Sequence, residues 1–97
     1  MSFVQIIEYA TDHHDEIEML MDRWTELTEG KRTAIRALHS VDRDRPGTYI
    51  DIVEFPSYEE AMHNSSLPET TEISSRMAKL CDAQSFRNLD VLRDDQL

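Results

Sequence analysis

Residues 47–81 read GTYIDIVEFPSYEEAMHN (47–64) followed by SSLPETTEISSRMAKLC (65–81). Thr48 to Phe55 is β-branched and aromatic, interrupted by the acids Asp51 and Glu54, and Gly47 and Pro56 punctuate its ends. That composition predicts a strand. At Ser57 the pattern changes. Ser57 with Glu60 three residues later is a capping box, and the helix it opens carries Tyr58, Ala61 and Met62 at helical spacing. A second start follows at once, with Pro68 placed for the first turn after Ser66. Ile73, Met77, Leu80 and Cys81 then fall on one face. A strand feeds a broken helix, and the break is expected to leave His63, Asn64, Ser65 and Ser66 at an irregular corner of the kind that lines pockets.

Working outward, Phe3 to Tyr9 (FVQIIEY) reads as a first strand whose polar residues, Gln5 and Glu8, point to opposite faces. Thr11-Asp12 supplies an N-cap for a helix to about Glu29. Ile17, Leu20, Met21, Trp24, Leu27 and Thr28 form its buried stripe, and Gly30 is placed to cap its end. Its outer face is acidic: residues 12–29 hold seven acids against Arg23 alone, a solvated surface. Thr33 to Val41 predicts a second strand, joined to the third by the turn DRDRPG (42–47). Ser85 to Arg93 alternates as a last strand, with Asp94 to Leu97 a frayed tail.

The order is β-α-β-β-α-β, the α+β ferredoxin-like arrangement of a four-stranded antiparallel sheet with two helices on one face. Residues 1–97 make a single domain. The strands are apolar on both sides: Val4 and Ile6 against Phe3 and Ile7, Ile50 and Ile52 against Tyr49, Val53 and Phe55. A solvated sheet face alternates cleanly, so something must cover the side the helices leave bare. A second copy of the chain is the simplest cover, and the modest apolar content of 39% favours it. Val53→Asp is expected to weaken folding and association together.

Charge and composition narrow the partners. With 10 basic and 20 acidic residues the net charge is −10, which disfavours nucleic acid and anionic membranes. No apolar run approaches the roughly 20 residues of a membrane span. One cysteine and an N-terminus that enters strand pattern directly fit a cytoplasmic protein. Two glycines offer no phosphate cradle, and Walker, GxGxxG and HExxH patterns are absent.

The run from Tyr49 to Pro68 resembles the dimeric α+β barrel superfamily, and within it the antibiotic-biosynthesis-monooxygenase-like branch. There a third strand ends in an acidic–aromatic pair and leads to a helix with an Ala-x-His step, a small-residue segment and a proline. Glu54-Phe55, Ala61-Met62-His63 and Ser65 to Pro68 hold those places. The resemblance implies a homodimer in which two sheets pack face to face. It also implies a small apolar or aromatic metabolite as ligand, and cofactor-independent monooxygenase, isomerase or cyclase chemistry. The alternative is a non-catalytic binding or structural dimer. No cofactor is implied; the haem-degrading branch carries an Asn on the first strand where this chain has Gln5, and Trp24 lies on a different helix.

Individual residues add further expectations. His63 is the candidate general base, with an exposed helical histidine as the plain alternative. Asp51, in mid-strand, must be paired or wet; with Gln5, Arg36 and Arg87 it either lines a ligand cavity or makes an inter-subunit ion pair. Trp24 packs or stacks on a ligand, and Asn64 lines the corner or ends a helix. His14 and Glu18 give one i,i+4 pair, and two ligands do not make a metal site. Cys81 on an apolar stripe reads as packing.

Overall fold

The computed structural model describes residues Ser2–Leu97. Its elements are β1 (Phe3–Ala10), α1 (His14–Leu27), β2 (Arg36–Val41), β3 (Thr48–Phe55), α2 (Tyr58–Ser66), α3 (Pro68–Ala78) and β4 (Asp82–Asp90). The strands form one antiparallel sheet in the order β2-β3-β1-β4, the ferredoxin-like arrangement expected from the sequence. The shortest dimension is 20 Å, the depth of a sheet and a helix layer at roughly 10 Å each.

Register assigns every strand residue to a face. Phe3, Gln5, Ile7 and Tyr9 stand opposite Phe55, Val53, Asp51 and Tyr49, and this set carries the buried residues Phe3, Tyr9, Asp51 and Phe55. It is the side the helices cover. Phe3, Phe55 and Ala61 form the core cluster, with Ala34 and Val53 packed against it; Ile17 and Ile73 are buried beneath the helices. The other side holds Val4, Ile6, Ile50, Ile52, Leu38 and Leu89, and Leu38 and Leu89 are exposed.

Several boundaries differ from expectation because residues near them are tied to distant parts of the chain. α1 starts at His14 because Thr11 does not reach the cap position. The Thr11 amide continues strand pairing with Gly47 O at 3.0 Å, and its hydroxyl accepts from His13 N (2.9 Å) and donates to Leu80 O (2.6 Å). The helix is closed at Thr28, which donates to Trp24 O, so Gly30 lies in the turn beyond with φ +78°. β2 starts at Arg36 because Thr33 is tied to α2, its amide to Asn64 Oδ1 and its hydroxyl to Glu60 O. β4 starts at Asp82 and ends at Asp90, which pairs with Phe3 at the start of β1, and Leu92 beyond it is 90% exposed.

The capping box forms, Ser57 Oγ accepting from Glu60 N at 3.2 Å. The break after it lies one residue beyond the expected corner. Helical geometry runs through His63, Asn64, Ser65 and Ser66, and only Leu67 leaves it (φ −62°, ψ 132°) before Pro68 opens α3. A residue before proline is driven to extended backbone, so the irregularity shrinks to that one position. No helix among the described residues is long and apolar enough to cross a membrane.

Candidate functional site

The β2–β3 hairpin places His39 directly across from Asp51 on the helix-covered side. The β1–β3 pairing sets Tyr9 opposite Tyr49, one diagonal step from Asp51. An acid in a central strand costs several kcal/mol if left unpaired, and these two neighbours supply its partners. Tyr9 donates its hydroxyl to Asp51 Oδ2 at 2.9 Å, and His39 Nδ1 meets Asp51 Oδ1 at 2.6 Å. Because the carboxylate accepts, the proton on His39 is assigned to Nδ1, leaving Nε2 as the free lone pair. Burial, together with the adjacent Asp51, pushes the Tyr9 hydroxyl well above its usual range. Tyr9 therefore stays a phenol and a fixed donor.

α1 completes the constellation. His14, in its first turn, brings Nε2 within 2.9 Å of His39 Nε2. The two imidazole planes are parallel within 9° with ring centroids 5.1 Å apart. With the nitrogens so close, that separation leaves the rings end to end and not face to face. Tyr49 lies parallel to both, its centroid 4.7 Å from His14 and 5.7 Å from His39. Glu18, one turn along α1, sits 3.5 Å from His14 Nε2. The result is a chain of polar groups from the half-exposed histidines (side chains 34% and 24% exposed) inward to a buried Asp51 and Tyr9. Two open grooves adjoin α1. One, of about 260 Å³, is lined by residues 12–16 and includes His14; the other, of about 370 Å³, runs between α1 and α3 past Met19, Leu20, Arg76 and Leu80.

The residues singled out from sequence separate. Asp51 is at the centre of the network. Arg36 and Arg87 lie on the opposite side of the sheet, both exposed, with Arg87 3.9 Å from Glu8. They cannot share a cluster with Asp51. Gln5 is on the covered side and donates to Asn88 Oδ1 at 3.3 Å. Trp24 joins two helices, its Nε1–H donating to Thr70 Oγ1 at 2.9 Å with the Arg32 guanidinium over its ring. Asn64 is buried as a structural tie to Thr33. His63 is exposed on α2 and lines neither groove; with the helix unbroken there, its side chain has no corner through which to turn inward.

The place of His39 is legible in the sequence by counting along the hairpin. Asp42 N bonds Thr48 O to close the hairpin. Counting outward from that pair matches Val41 with Tyr49, Ser40 with Ile50 and His39 with Asp51. The polar turn DRDRPG marks where the count begins.

Solved structures share this architecture over nearly their full length. SnoaB from Streptomyces nogalater, a cofactor-independent oxygenase, matches with a TM-score of 0.81 over 96% of this chain and 95% of its own, at 11% identity. Rv0793 from Mycobacterium tuberculosis matches at 0.80 over 99% and 100%, with 12% identity. An antibiotic-biosynthesis-monooxygenase-type protein from Deinococcus radiodurans matches at 0.77 over 100% and 98%, with 14% identity. The fold is that of the antibiotic-biosynthesis-monooxygenase-like proteins. No family model and no curated protein matches the sequence. Identity this low transfers the fold and no residue roles.

Proposed function

We propose that the chain is a homodimeric, cytoplasmic, cofactor-independent monooxygenase-like enzyme acting on an electron-rich aromatic such as a quinol. The observation that carries this reading is the His14–His39–Asp51–Tyr9 chain of hydrogen bonds on the helix-covered side of the sheet. Support comes from the shared fold with SnoaB, a cofactor-independent oxygenase. It also comes from the bare apolar face of Val4, Ile6, Ile50, Ile52, Leu38 and Leu89, which a second copy would cover.

In this reading the histidine pair removes the proton of a quinol hydroxyl. His39 cannot reorient, because Asp51 holds Nδ1, so the proton is passed from His14 to His39 Nε2 and the imidazolium is stabilised by the carboxylate behind it. Tyr49 offers an aromatic face beside the pair for the substrate ring. The ring anion gives its electrons to dioxygen. A ring carbon–oxygen bond forms and the oxygen–oxygen bond breaks; one oxygen atom stays on the ring and the other leaves as water with two substrate hydrogens. For 1,4-dihydroxynaphthalene the products are 2-hydroxy-1,4-naphthoquinone and water.

The test is turnover of that quinol under ¹⁸O₂. The expected product carries one labelled ring oxygen, and His39→Ala lowers its rate about 10²- to 10⁴-fold, the range of a positioned general base. His39→Ala turning over at the wild-type rate, or unlabelled naphthoquinone as the sole product, contradicts the reading.

A further inference from the structure

His14, Glu18 and His39 converge more closely than a proton relay requires. His14 Nε2, Glu18 Oε1 and His39 Nε2 are 2.9, 3.5 and 4.0 Å apart pairwise. The nearest point equidistant from these three atoms is about 2.1 Å from each, the length of a zinc–imidazole or zinc–carboxylate bond, and the two imidazoles must turn from their end-to-end alignment to aim their Nε2 lone pairs at it. The two ligands on α1 are i,i+4 neighbours, so one helix turn presents both, and the third arrives on a strand whose register is fixed by the hairpin.

The surroundings are already those of a metal ligand set. A metal-bound imidazole nearly always gives its other N–H to a carboxylate, which fixes the tautomer and raises the basicity of the coordinating nitrogen. His39 does this through Nδ1 to Asp51 at 2.6 Å, and Tyr9 holds the second oxygen of that carboxylate. Tyr49 lies parallel to both rings and holds them in a common orientation, which leaves them free to turn within their planes. Glu18 is 55% exposed, which leaves an entry path for an ion. A net charge of −10 favours any cation approaching the site.

We propose that His14, Glu18 and His39 bind one divalent transition-metal ion per chain. Two imidazoles and a carboxylate suit borderline ions such as zinc or cobalt over magnesium and calcium, which prefer all-oxygen sets. Three protein ligands leave a coordination position open to water or a small ligand. This site stands independently of the oxygenase reading. The two meet at one atom: a bound ion occupies the Nε2 lone pair of His39, so it would block proton uptake there.

The test is binding to chelator-treated whole protein, Co²⁺ followed by visible absorption and Zn²⁺ by calorimetry. Expected are one ion per chain at micromolar affinity or tighter, the intense absorption of four-coordinate cobalt, and no displacement by excess Mg²⁺. His14→Ala, Glu18→Gln and His39→Ala should each weaken Zn²⁺ more than the roughly 10- to 100-fold expected of Asp51→Asn. His13→Ala should leave binding unchanged, although His13 lies beside Asp12 and Glu16 on the same turn. Absence of saturable binding, or binding lost in His13→Ala and kept in His14→Ala, overturns the site. His14→Ala and Glu18→Gln alter half-exposed or exposed positions on α1, so the result stands even if His39→Ala fails to fold. None of these readouts involves turnover, so a protein that binds zinc without oxidising quinols would fail the first reading and keep this one.

Discussion

Asp51 sits where a carboxylate must be answered from both sides, and each answer has a separate consequence. Tyr9 is 1% exposed, so removing its acceptor leaves a buried hydroxyl unpaired. Asp51→Ala should cost about 1–3 kcal/mol in chemical denaturation, while Asp51→Asn, which keeps an acceptor, should cost less and still lose the anchoring of His39. Cys81 feels the same region: burial first, then Asp51 and Asp82, push its thiol up. A raised thiol holds less thiolate at mildly alkaline pH, so iodoacetamide should label native Cys81 more slowly than the unfolded chain. Equal rates would contradict that. His63→Ala should leave both melting temperature and turnover unchanged. Much at this scale was legible. The need for a partner at Asp51 followed from its place in an apolar strand; the identity of the partner depended on hairpin register, and Arg36 was excluded by parity once the register was fixed.

The elements were legible where a local chemical signal ends them. Gly47 and Pro56 bound β3 as expected, and Ser57 caps α2 through Glu60 N. Ser57→Ala should therefore cost about 1 kcal/mol, read as a lower midpoint in urea with an unchanged slope. Boundaries set by long-range pairing were not legible. Thr33 belongs to β2 by composition, yet its amide and hydroxyl are taken by Asn64 and Glu60. The same competition explains α1, whose expected cap at Thr11 is committed to Gly47 and Leu80. A break before Pro68 was legible, but it falls at Leu67, past the expected corner of residues 63–66, because helical bonding persists to Ser66.

For the whole molecule, the proposed function gives the two faces of the sheet different tasks. The order of elements and the apolar character of both faces were visible in the sequence. Which residue belongs to which side was not, since a single bulge would have exchanged them. Val53 packs against the Phe3–Phe55 core, whereas Ile52 is on the bare side. Val53→Asp should thus prevent folding, and Ile52→Asp should give a folded chain near 11.3 kDa by light scattering where the proposed wild-type dimer should give near twice that mass. The division of labour is tested most directly by amide and imidazole NMR shifts during titration with 2-hydroxy-1,4-naphthoquinone. Saturable shifts at His14, His39, Tyr49 and Asp51, with Val4, Ile6, Ile52 and Leu89 unmoved, are expected. Shifts confined to the bare face, or none at saturating ligand, would contradict the placement of the chemistry beneath the helices.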